Sequence, residues 1–95
     1  MNSDTSTAAT PTRPRQLITE AICAVAPDIE PADIEALAAD DLIKDELDLD
    51  SMDVLNVATA IFERSSVDIP DRDYVHMETM AAFESYLADR LPTAN

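Results

Sequence analysis

The sequence predicts an all-α domain, a bundle of three main helices and one short helix with a long loop after the first. Three observations predict it. Apolar residues recur at spacings of three and four in three stretches, around residues 17–25, 54–62 and 80–91, the mark of amphipathic helices. Each stretch opens beside a residue suited to cap a helix N-terminus: Thr12, Asp50 or Thr79. Prolines stand where the pattern must stop, Pro27 after the first stretch and Pro92 after the last. Ninety-five residues make one domain, small enough to be marginally stable alone.

Residues 1–12 are rich in Ser, Thr and Ala and read as a disordered tail. The folded domain is expected over residues 13–91, with 92–95 as a second tail. Pro14 suits the first turn of a helix, and Leu17, Ile18, Ala21, Ile22 and Val25 form its apolar stripe. Cys23 lies off the centre of that stripe. With no basic neighbour in sequence to activate it, it reads as a half-buried packing residue rather than a reactive thiol.

Asp28 to Asp50 is a long connection, and a loop of that length in a small domain must be pinned. Ile29, Ile34, Leu37, Leu42 and Leu47 are spaced to do so, and Pro31-Ala32-Asp33 and Asp40-Asp41 are suited to open short helical turns. Eleven carboxylates and one base, Lys44, lie between Asp28 and Asp53.

The second main helix is expected from about Ser51 to Arg64. Asp50 is its N-cap, and Asp53 three places on makes a capping box with Asp in place of the usual Glu. Ser51 then takes the first helical position. Its side chain is not needed for capping, so its hydroxyl should face water at the positive end of the helix dipole, a favourable place for a phosphate ester. Ser65-Ser66 make a poor C-terminal cap, with a frayed last turn expected. Val67 and Ile69 are apolar anchors. Pro70-Asp71 begin a short helix with Tyr74 and Val75, and Met77 packs inward after it. Thr79 caps the last helix, whose stripe is Met80, Phe83, Leu87 and Leu91.

Composition excludes several functions. The chain holds 20 Asp and Glu against 6 Lys and Arg, net −14. It repels phosphate backbones, so nucleic acid is not a partner, and it attracts basic protein surfaces. Glycine is absent, which rules out a Gly-rich phosphate loop or dinucleotide fingerprint. One cysteine allows no internal disulfide and no cysteine zinc cluster. No secretory signal and no apolar run long enough for a membrane is visible, so a cytoplasmic monomer is expected.

Asp50-Ser51-Met52, with Asp53 following, resembles the attachment motif of the acyl carrier protein family, including the peptidyl carriers, which has Asp-Ser-Leu or Asp-Ser-Met. Ile69-Pro70-Asp71 stands at the family's usual interval downstream, and Thr79 opens its final helix. The resemblance covers roughly residues 13–91 and implies an acyl-carrier-like four-helix bundle with a pinned first loop. It implies that Ser51 carries 4′-phosphopantetheine through a phosphodiester, with Asp50 and Met52 flanking the attachment. The protein would then be no enzyme. It would hold an acyl or aminoacyl group as a thioester and deliver it to partner enzymes. Those partners would be a phosphopantetheinyl transferase, a loading ligase and downstream acyl-transfer enzymes with basic docking surfaces. Fatty acyl, polyketide and peptide pathways share this scaffold, and the sequence does not choose among them.

The alternative is an unmodified acidic module that docks onto basic protein surfaces. A serine hydrolase needs a histidine in contact with its serine. His76, the only histidine, reads as exposed. A calcium loop begun at Asp48 needs an oxygen ligand fifth, Gly sixth and Glu twelfth, where this chain has Met52, Asp53 and Thr59. The acidic cluster therefore reads as a solvated surface rather than a metal site.

The expected partner surface comprises Asp48, Asp53, Leu55, Asn56, Phe62 and Glu63, beside Met52. On a wheel of about 100° per residue, Val54, Val57, Ala58 and Ile61 face the core. Asp53, Asn56, Glu63 and Arg64 fall roughly opposite. Asn56 and Phe62 stand where the family commonly has acids. Unless Phe62 rotates inward, Met52, Leu55 and Phe62 make a contact surface more apolar than usual, which points to a dedicated partner.

Overall fold

The computed structural model describes residues 12–91. The two predicted tails, except for Thr12, and the stop at Pro92 lie outside the described residues. Over the rest the chain is all-α. Helix α1 spans Arg13–Val25, α2 Pro31–Glu35, α3 Ile43–Glu46 and α4 Ser51–Ser65. A 3₁₀ helix follows at Asp71–Met77, then α5 at Met80–Arg90. No strand forms among the described residues; one isolated antiparallel bridge joins Leu42 to Thr79.

The caps start the helices where the sequence places them. The Thr12 hydroxyl accepts from the Arg15 N–H at 3.4 Å, and the Thr79 hydroxyl accepts from Ala82 at 3.2 Å. Helix α1 closes at Ala26, just before Pro27. The core is aliphatic and lies between α1, α4 and α5. Leu17, Ile18 and Ile22 meet Val57 and Ile61 from α4 and Met80, Phe83 and Leu87 from α5, all buried. Each such side chain contributes roughly 1.5–3 kcal/mol on burial. The ion pair Arg15–Glu84, at 2.6 Å, ties α1 to α5.

The long loop is pinned by four of the five expected residues, and the fifth, Leu42, is replaced by its neighbour Ile43. Ile34 is fully buried, while Ile29, Leu37 and Leu47 pack partly against the core. Leu42 is 47% exposed, contrary to expectation, and its neighbour Ile43 is buried instead. The cause is the backbone. Leu42 pairs with Thr79 and serves as N-cap of α3, which turns the next side chain inward. Two bonds then fasten the loop to the start of α5: Ile43 N–H to the Glu78 carbonyl at 2.8 Å and Ala81 N–H to the Ala39 carbonyl at 3.0 Å. Asp40 and Asp41 open no helix. Asp41 accepts from the Ala38 N–H at 2.9 Å within a turn, and α3 begins after it.

The end of α4 is also better closed than Ser65-Ser66 suggested. Ser66 adopts φ 63°, ψ 14°, the left-handed cap conformation, and its N–H donates to the Phe62 carbonyl at 2.8 Å. The Ser65 hydroxyl donates to the Ile61 carbonyl at 2.7 Å and accepts from the Val67 N–H at 3.2 Å. These bonds satisfy groups that a helix end otherwise leaves open.

Candidate functional site

Ser51 is presented by a rigid approach. Leu49 is buried, and its N–H donates to the Lys44 carbonyl at 2.8 Å. Asp48, at φ 56°, makes the left-handed bend before it, a conformation Asp tolerates better than most residues. Asp50 and Asp53 then cap α4 reciprocally. The Asp53 N–H donates to Asp50 Oδ1 at 2.9 Å, and the Asp50 N–H donates to Asp53 Oδ2 at 3.1 Å. Ser51, between them, is exposed, and its hydroxyl makes no protein hydrogen bond among the described residues. It stands as the first residue of a 15-residue helix, where partial positive charge gathers.

Beside Ser51 lies an open groove of about 390 Å³. Lys44, Val54, Arg72, Val75 and Met77 line it with the serine. Sequence reasoning missed Lys44 and Arg72 as neighbours of Ser51, because α3, which carries Lys44, and the 3₁₀ helix, which carries Arg72, are brought beside the serine only by the tertiary fold. Neither base takes part in an ion pair among the described residues.

The 3₁₀ wall is anchored to α5 through Tyr86, a buried residue the apolar stripe did not include. Its hydroxyl donates to Asp73 Oδ2 at 2.8 Å. The His76 ring stacks on Tyr86 with centroids 5.1 Å apart, and the Arg90 guanidinium lies 3.7 Å from the ring centroid. Burial, and then the Asp73 hydrogen bond, push the Tyr86 phenol above its ordinary range. His76 is exposed and stacks on Tyr86, while its neighbours Val75 and Met77 line the groove.

The remaining candidate residues divide into groups. Met52, Leu55 and Phe62 are 62%, 42% and 50% exposed, so Phe62 does not rotate inward. Leu55 and Phe62 come together along a second, shallower groove of about 250 Å³, with Ala58, Ile69 and Tyr74. Met52 is exposed one turn before Leu55 and does not line that groove. Asn56 and Glu63 are exposed on α4 away from it, and Asp53 is half-buried in the cap. Asp48 is placed elsewhere, in a depression with Asp33, Asp41 and Glu46. Among the described residues no three His, Cys, Asp or Glu side chains converge as metal ligands.

Cys23 is half-buried, and its thiol donates to the Ile29 carbonyl at 3.4 Å. Burial raises its pKa, and Glu30 and Asp33 raise it further. Such a thiol is a poor nucleophile. No described helix is long and apolar enough to cross a membrane. No protein-family model matches this chain, and neither the curated proteins nor the solved structures give a match.

Proposed function

We propose that this protein is an acyl carrier, with 4′-phosphopantetheine attached at Ser51 and an acyl-carrier-like bundle as its scaffold. One observation carries the reading. The two aspartates that flank the serine take over the capping of α4, leaving its hydroxyl exposed at the helix start beside a groove. A serine that caps nothing, on an approach locked by Leu49, is suited to modification by a partner enzyme.

In the attachment step the Ser51 oxygen forms a bond to the β-phosphorus of coenzyme A. The pyrophosphate P–O bond breaks, adenosine 3′,5′-bisphosphate leaves, and the hydroxyl proton passes to a base on the transferase. The arm then supplies the thiol that Cys23 does not. Tethering raises the cargo's effective concentration at each partner enzyme. The acidic surface attracts basic docking faces, and Met52, Leu55 and Phe62 offer apolar contact beside them.

The test is intact mass after incubation with coenzyme A and a broad-specificity phosphopantetheinyl transferase. A phosphopantetheine increment that maps to Ser51 is expected. Its absence, with a control carrier modified in parallel, overturns the proposal in favour of an unmodified acidic module that docks onto basic surfaces.

A further inference from the structure

We infer that Tyr86 is the latch of a movable wall. Its hydrogen bond to Asp73 holds the 3₁₀ helix closed on α5, and when that bond breaks the wall lifts as a unit while α1, α4 and α5 stay folded. The latch belongs to the fold and stands without the carrier reading. What it governs, access from Ser51 to the space behind the wall, rests on that reading.

The wall does not hold itself. It runs for seven residues, Asp71–Met77, in 3₁₀ geometry. Such runs are uncommon beyond about three or four residues, because their hydrogen bonds are poorly aligned. Its own close is weak, with the Glu78 N–H 3.4 Å from the Val75 carbonyl. Asp71, Arg72, Val75 and His76 are exposed, Asp73 and Tyr74 are half-buried, and only Met77 is buried. An element with so little buried side chain opens at low cost.

Its fastening converges on one ring. Among the described residues, Tyr86 to Asp73 Oδ2 at 2.8 Å is the one hydrogen bond that ties residues 71–77 to another helix. The His76 ring stacks on the same tyrosine. Tyr86 itself is held from its own helix. It is 5% exposed, the Arg90 guanidinium lies over its ring, and Arg90 Nη1 also donates to its carbonyl at 3.3 Å. When the bond breaks, the tyrosine therefore stays and the wall moves. The movement is bounded at both ends. Ile69 is buried before the wall, and after it the Glu78 carbonyl accepts from the Ile43 N–H while Thr79 pairs with Leu42.

Met77 gives the movement its consequence. It lines the groove beside Ser51 and also a space of about 20 Å³ among Ile22, Leu49 and Phe83. That inner space holds roughly one water molecule while the wall is closed. A wall that lifts carries Met77 with it and joins the two spaces. Tyr86 touches neither of them; it is a positioning residue, acting on the groove through Asp73.

The experiment uses the full chain with Cys23→Ser and a single reporter thiol, Met77→Cys for the wall or Ala60→Cys for the core. Labelling by a disulfide reagent is followed at rising urea below the unfolding transition. The wall thiol should label at a rate nearly independent of urea, because a local opening exposes little surface. The core thiol should accelerate with urea, because it waits for global unfolding. Tyr86→Phe keeps the ring and loses only the hydroxyl. It should speed wall labelling about fivefold, the equivalent of a hydrogen bond worth about 1 kcal/mol. Asp73→Ala should do the same, and both changes together should do no more than either alone. Asp73→Asn, which keeps an acceptor oxygen, should stay near the parent. A wall thiol that follows urea as steeply as the core thiol overturns the inference. So does labelling at the parent rate in Tyr86→Phe, or effects of Tyr86→Phe and Asp73→Ala that simply add. If Met77→Cys fails to fold, amide exchange of Val75 and Met77 against urea, in the parent and in Tyr86→Phe, decides the same points. No arm is needed for any of these readings, so a protein that takes no arm overturns the carrier reading and leaves the latch to its own test.

Discussion

Asp50 and Asp53 exchange two hydrogen bonds across Ser51: the Asp53 N–H to Asp50 Oδ1 at 2.9 Å and the Asp50 N–H to Asp53 Oδ2 at 3.1 Å. The serine between them therefore has no structural duty at the helix start. Ser51→Ala should fold and melt like the parent but take no arm. Asp50→Ala should lower stability by about 1 kcal/mol, the usual cost of losing an N-cap. Circular dichroism melts and intact mass read both. A modified Ser51→Ala protein would mean that another hydroxyl is the attachment point.

Eleven carboxylates face one lysine between Asp28 and Asp53, and the depression with Asp33, Asp41, Glu46 and Asp48 gathers four of them. Salt screens their repulsion, and any cation that prefers the folded state adds stability by linkage. The melting midpoint should rise with NaCl and rise further with MgCl₂ at equal ionic strength. A midpoint indifferent to both removes the electrostatic argument.

Met52 is 62% exposed one residue after Ser51. Met52→Asp should leave helicity and melting nearly unchanged, because the side chain packs against little. It should slow priming or loading, because it removes an apolar anchor beside the attachment point. Loading at the parent rate by the cognate enzyme would make Met52 a bystander.

Ser66 holds φ 63° at the end of α4, a conformation that costs a residue with a Cβ roughly 1–2 kcal/mol. Ser66→Gly relieves that strain, less the extra chain entropy that glycine loses on folding. A net gain of about 0.5–1 kcal/mol is expected from urea unfolding. A loss would show that the Ser66 side chain contributes a contact the backbone argument omits.

Three acids among the described residues are raised above their ordinary values: Cys23 from 9.0, and Tyr74 and Tyr86 from 10.0, with burial the largest cause for each. The folded state therefore holds their protons more tightly than the unfolded chain does. Their contribution to stability is complete below the ordinary values and is lost as pH rises through the folded ones. Unfolding free energy should decline above about pH 9, the first of those values. Tyr86→Phe should flatten part of that decline, while lowering stability near neutral pH by about 1 kcal/mol through the lost Asp73 hydrogen bond. An alkaline limb unchanged in Tyr86→Phe would assign the loss to the other two groups.

The three main helices were legible in the sequence because their signals are local. The box of Asp50 and Asp53, the hydroxyl caps of Thr12 and Thr79, and apolar spacing along each helix act within one or two turns. The exposure of Met52 followed from the same wheel, which puts it well off the core arc; Leu55 and Phe62 lie at the margin of that arc, and only the packed structure shows both exposed. Leu42 and Ile43 were not legible. Which of two adjacent apolar residues turns inward depends on a bridge to Thr79, a partner distant in sequence.

The groove beside Ser51 was equally hidden. Its second wall, Arg72, Val75 and Met77, arrives from the 3₁₀ helix. Tyr86 holds that wall in place through Asp73 and His76. By itself, the sequence determined where α1, α2, α4, the 3₁₀ helix and α5 start, where α1 stops, and which serine is left without a capping role, because backbone hydrogen bonding and apolar periodicity are short-range; the start of α3 at Ile43 it misplaced. Only the tertiary structure decided what stands beside that serine and how little room lies beneath it, because a groove and a cavity are the space left between elements, and that space is set by packing between residues far apart in the chain.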